Sequence, residues 1–150
     1  MLRASRFSLH SFLAAAAMLL AACAAHEMSY MEMKALMPAA PADKGRIYFY
    51  RNTAWLGNLV TPDILLNNVS IGLSSPGTFF YIDREPGDYR AICGNNGDDH
   101  ATNFSLAAGQ EIYVRTGVAG GVITANMETR VVDAMTAIPE MRGLKYNSVQ

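Results

Sequence analysis

Thiols are scarce in this 150-residue chain: only Cys23 and Cys93 are present. That excludes a paired-cysteine zinc site and leaves one disulfide at most. An excess of one charge is also lacking. Twelve Lys and Arg stand against 13 Asp and Glu, so there is no basic footprint for nucleic acid or for anionic lipid headgroups. No Gly-x-Ser-x-Gly and no His-Glu-x-x-His occurs, which removes the commonest hydrolase and metalloprotease signatures. Long apolar runs are missing too. The run Phe12 to Ala22 is far shorter than the roughly 20 residues a helix needs to cross a bilayer.

What is there begins at that run. Arg3 and Arg6 precede it, and a basic region followed by a short apolar stretch is the order of a cleaved secretion signal. Leu20-Ala21-Ala22-Cys23 resembles the bacterial lipobox: an apolar branched residue, two small residues that fit a narrow peptidase site, and the thiol that takes diacylglycerol. Residues 1–22 are therefore expected to be a lipoprotein signal peptide, and residues 23–44 a lipidated Cys and flexible tether. Residues 45–150 are then one β-sandwich domain with a short C-terminal extension. Loss of twenty-two residues leaves 128 of the 150, enough for one core and too few for two. Two of the 12 basic residues leave with the signal, so the remainder carries 10 basic against 13 acidic groups and a formal charge of −3. Attachment then falls to acyl chains, each buried CH₂ contributing about 0.8 kcal/mol. Cys93 is left without an internal partner, and stability rests on apolar packing.

From Ala24 to Lys44 no strand-like alternation appears, and Pro38 and Pro41 interrupt a small-residue stretch; only a helical turn or two near Met28 to Met37 is expected. Arg46 to Arg51, dense in β-branched and aromatic residues, reads as the first strand. Ile64 to Leu66 and Val69 to Leu73 flank Asn67-Asn68, a pair tolerant of positive φ that suits a two-residue hairpin. Thr78 to Ile82 and Tyr89 to Cys93 flank Pro86-Gly87, read as a type II turn closing a second hairpin. Thr102 to Leu106, Glu111 to Arg115 and Met127 to Val132 complete the strands, with a weak helix over Ala134 to Met141 interrupted by Pro139. The fold class is mostly β: a small antiparallel β-sandwich of about seven to eight strands.

Gly45 to Arg51, the Asn67 to Leu73 hairpin, the Glu85 to Tyr89 turn and the Leu106 to Val114 hairpin, in that order, resemble the bacterial lipoprotein family catalogued as domain of unknown function 2846. The resemblance spans about Gly45 to Val132. It implies a compact β-sandwich on a lipid anchor and carries over no catalytic residue.

Candidate chemistry is sparse. Asn95 to His100 gathers oxygen donors and an imidazole, but its spacing fits no EF-hand loop and turn solvation explains it. Cys93 near His100 offers a thiolate–imidazole pair, against the ordinary behaviour of a lone strand Cys as a buried hydrophobe. His26, Met28, Met31, Met33 and Met37 form a thioether-rich set able to take Cu(I), against docking of the same stripe on an apolar surface. Gly117, Gly120 and Gly121 read as hairpin glycines, since the strand-prone Val122-Ile123-Thr124 follows instead of a helix. Asn68-Val69-Ser70 and Asn103-Phe104-Ser105 match the glycosylation tripeptide by chance. Alternation in the first strand sets Tyr48 and Tyr50 opposite Ile47 and Phe49. With Trp55 they are candidates for a solvent-side contact patch, against merely covering the core's outer layer.

The function expected is that of a non-enzymatic envelope lipoprotein that presents a surface, with no cofactor and no nucleic-acid partner. Its partners are the membrane, through the lipid, and another envelope protein or peptidoglycan. Ala24 after the lipidated Cys resembles the sorting pattern for the outer membrane, facing the periplasm. Rival readings are a ligand or copper carrier and a hydrolase, the last without a nucleophile–base constellation.

Overall fold

The computed structural model describes residues 27–54, 59–94, 100–119 and 126–148. The signal segment, Cys23, His26, Trp55, residues 95–99, Gly120 and Gly121 lie outside them.

Two sheets face each other. The larger runs in the order β8 (Asn126–Val132), β7 (Glu111–Ala119), β1 (Gly45–Arg51), β4 (Thr78–Arg84), β9 (Lys145–Tyr146). The smaller runs β3 (Val69–Leu73), β2 (Asp63–Leu66), β5 (Gly87–Cys93), β6 (Thr102–Leu106). The expected mostly β sandwich is present, with nine strands among the described residues where about seven to eight were expected. It is not wholly antiparallel: β1 pairs with β7, and β4 with β9, in parallel.

The Asn67-Asn68 hairpin forms as read, both residues at positive φ, 48° and 66°, as a type I′ turn requires. The other two expected hairpins do not form. β4 and β5 lie in different sheets, as do β6 and β7, so Glu85-Pro86 and the Ala107–Gln110 turn are crossovers between layers. Gly87 opens β5 without a positive φ, and the type II turn is corrected accordingly. The physical reason lies in the faces. β4 buries Phe80 and Ile82 on one side and Phe79 on the other, so it needs cover on both. β5 leaves Asp88 exposed and suits a sheet with one wet face.

Two helices cover the outer face of the large sheet: α1 (Tyr30–Leu36) and α2 (Ala134–Met141). Ser29 and Glu32 form a capping box on α1, satisfying two amide donors reciprocally. Asp133 caps α2, which contains Pro139. The helical turns expected near Met28 to Met37 are present as α1, and the described N-terminal residues are held by backbone bonds. Tyr146 N–H donates to Met28 O and Tyr30 N–H to Leu144 O, and Ser29 forms a bridge with Lys145. The C-terminal segment holds the described N-terminal residues against the sheet from Met28 on.

Two cores result. Between the sheets, Ile47, Phe49, Ile64, Leu66, Phe80, Cys93 and Val114 pack together. Between the large sheet and the helices lie Tyr30, Tyr48, Tyr50, Phe79, Tyr113, Ala137, Met141 and Leu144. β1 is buried along its whole length. At its start Gly45 has no room for a side chain, because a Cβ would stand 2.5 Å from Ala107 O.

Candidate functional site

The densest polar cluster sits under α1. Glu111 opens β7 and points to the helix-covered face, as Tyr113 does two residues on. Its carboxylate accepts from Lys34 Nζ at 2.9 Å, from the Tyr48 hydroxyl at 3.1 Å and from the Tyr113 hydroxyl at 2.7 Å. Lys34 also donates to Tyr48 at 3.1 Å and stands over its ring. The Tyr48 and Tyr113 rings stack at 4.9 Å. Tyr30 meets Tyr48 and Phe79 edge to face, and its buried hydroxyl, with Tyr113 as its neighbour, has no well-formed hydrogen bond among the described residues.

The protonation states follow. Burial alone would raise the Glu111 carboxyl, but Lys34 and the two tyrosine hydroxyls hold it below its usual value. Burial pushes the Tyr48 and Tyr113 phenols up, and Glu111 reinforces this. Lys34, which burial would deprotonate, is kept charged by Glu111 and Tyr48. The cluster is an ionised acceptor filled by three donors of its own chain, which ties α1 to the sheet.

Two further clusters do similar work. Arg46, 3 % exposed, grips Asp83 through Nε and Nη2 at 2.7 and 2.8 Å, donates to Pro38 O at 2.9 Å and lies 4.3 Å above the Tyr81 ring. Glu140 of α2 accepts from Tyr50 at 2.6 Å and from Arg115 at 2.8 Å. Burial and Glu140 raise the Tyr50 phenol. A groove of about 470 Å³ opens between Met37–Ala40 and Gly109–Glu111, with Lys34 and Arg46 in its wall.

The structure changes the reading of the sequence-derived sites. Tyr48 and Tyr50 are 0 % and 2 % exposed, so their part in the expected solvent-side patch is corrected in favour of cover for the core, while Trp55 lies outside the described residues. The face is on the side predicted, but α1 and α2 cover it. Of the methionines, Met31 is exposed, Met33 and Met37 pack against the helix-side core, and the Met37 sulfur accepts from Tyr48 at 3.4 Å. Cys93 is fully buried, and burial pushes its thiol up, the opposite of what a nucleophilic thiolate needs. His100 is placed by its backbone carbonyl, which accepts from Thr129 at 3.0 Å. Among the described residues no group of three or more His, Cys, Asp and Glu could hold a metal ion. Cys23 and the cleavage motif Leu20, Ala21 and Ala22, with His26 and Trp55, lie outside those residues.

Sequence reasoning missed the Lys34–Glu111 pair, 77 positions apart. The available signal was Glu111, Tyr113 and Arg115 sharing one face of β7, opposite Ile112 and Val114. No curated protein and no solved structure matches the chain. Residues 41–127 match the family described as "Protein of unknown function (DUF2846)"; that stretch holds both sheets up to the start of β8 but neither helix. The chain belongs to this family.

Proposed function

We propose that the chain is an envelope lipoprotein, anchored through acyl chains on Cys23, whose sandwich acts by presenting a surface and not by catalysis. The observation that carries the reading is the fixed position of Met28, five residues after the lipobox cysteine: almost no free chain separates the domain from the expected lipid. The surface role is supported by the state of the reactive groups. Glu111 is filled by three internal donors and the Cys93 thiol is enclosed, so neither is free to serve as base or nucleophile.

The test is Cys23→Ser in the full chain. The variant is expected to leave the membrane fraction, lose incorporation of labelled palmitate and keep a strand-rich circular dichroism spectrum. Retention in the membrane fraction without lipid label overturns the anchor.

A further inference from the structure

The end of the molecule where Met28 is fixed also carries exposed apolar side chains. Tyr146 N–H donates to Met28 O at 2.7 Å, Lys145 N–H to Gly77 O at 2.9 Å and Gly77 N–H to Arg51 O at 2.9 Å. The Arg51 guanidinium in turn donates to Val60 O at 2.9 Å and Ser74 O at 2.7 Å. This series runs from Met28 through β9, the start of β4 and the end of β1 to the chain ahead of β2. Leu59, Val60 and Leu73 therefore share an end with Met28. They are 99 %, 47 % and 45 % exposed, apolar area that a covering surface would take out of water. Leu36, Val69, Val131 and Met135 are exposed elsewhere, so what singles out this end is its place beside the N-terminal chain.

Chain length says what that surface meets. Five residue steps, from Cys23 to Met28, span at most about 18 Å. The seven residues of β1 alone run roughly 23 Å. The leash is shorter than the sandwich, so the Met28 end is the one held nearest any lipid on Cys23. The opposite end, where Gly109 N–H donates to Lys44 O, stands away from it.

Resting on the lipid-anchored reading above, we propose that the Leu59, Val60 and Leu73 end seats on the bilayer surface. These side chains enter the headgroup boundary, and the Ala107–Gln110 turn faces the aqueous compartment. Anchor and patch then act together: acyl chains supply most of the affinity, and three shallowly inserted side chains fix orientation.

The experiment uses the full-length lipidated protein in phosphatidylethanolamine–phosphatidylglycerol vesicles. Leu59→Cys and, separately, Ala108→Cys are labelled with a small fluorophore; both positions are exposed, and Cys93 is buried. Brominated acyl chains are expected to quench most of the emission at position 59 and none at position 108, with both proteins floating with the vesicles. Equal emission at the two positions in floating protein overturns the seating and leaves the anchor standing. A label at 59 shielded from aqueous iodide but untouched by brominated lipid assigns the patch to a protein contact and also overturns it. Failure to float removes the anchor, and the seating with it.

Discussion

The two faces of the large sheet are built on different principles. The face toward the small sheet is mainly apolar: Ile47, Phe49, Phe80 and Val114 meet Ile64, Leu66, Ala91 and Cys93, with neutral hydrogen bonds from Thr129 to Ala91 O and between Ser74 and Thr116 among them, and packing carries most of its stability. The face toward the helices buries its rings but is partly wet at its rim and is lined by phenols, with Glu111, Glu140 and Lys34 at the tyrosine hydroxyls and Arg115 on Glu140. α1 has only seven residues, too few for an isolated helix to persist. A short amphipathic segment buries little area, so directional bonds to a pre-formed carboxylate fix its register where packing alone would not. One face supplies stability; the other supplies address, deciding where the N-terminal segment lies.

That division is broken hardest at Phe49, which is fully buried in the inter-sheet core. Phe49→Ala is expected to cost about 3–5 kcal/mol and to speed reaction of Cys93 with a thiol reagent, since both share that core. Glu111→Ala comes next. It leaves Lys34 and two tyrosine hydroxyls without their acceptor, a loss of roughly 1–2 kcal/mol because the site is partly wet. Cys93 should stay protected while amides of α1 exchange faster. If Glu111→Ala exposes Cys93 as much as Phe49→Ala does, the two faces are one cooperative unit and the comparison fails.

The inter-sheet face was legible because two-residue alternation in β1, β6 and β7 reports it directly. Strand ranges came out within a few residues, as did the type I′ turn. Sheet membership was not legible: nothing local to Asp83–Asp88 tells whether the next strand pairs with β4 or crosses to the other layer, because the choice is made by β1 and β9 occupying both edges of β4. The helix-side face was misread for a related reason. Tyr48 and Tyr50 alternate correctly, but their cover comes from Tyr30 and Met141, on short helices whose docking depends on distant partners. Residues 38–42, which read as linker, include Pro38, whose carbonyl Arg46 holds.

A smaller effect separates burial from bonding on the helix side. The Tyr30 hydroxyl is buried without a well-formed hydrogen bond among the described residues, so Tyr30→Phe removes a poorly compensated polar atom and keeps both edge-to-face ring contacts. It is expected to raise stability by about 1 kcal/mol in denaturant unfolding. A loss of similar size would show that the hydroxyl is bonded through water.

The smallest effect is pH-dependent. Glu111 is held below its ordinary value of 4.5 in the folded chain and returns to that value on unfolding. A depressed folded value means that the carboxylate's contribution is complete above the unfolded value and is lost as pH falls through the folded one. Between pH 7 and about 4.5 the latch should be constant, then weaken as protonation takes away the charge that Lys34, Tyr48 and Tyr113 address. Asp133, also lowered by its bonds to Thr136, and other carboxylates contribute in the same direction, so acid sensitivity of the parent chain alone assigns nothing. The comparison that does is with Glu111→Gln, which keeps a carbonyl oxygen for the donors and cannot titrate. Its stability deficit should be full at neutral pH and shrink as acid titrates the parent's latch, with faster exchange of α1 amides accompanying the parent's loss. A deficit that stays constant down to pH 3 means that Glu111 holds α1 by shape and hydrogen bonding, with no charge involved.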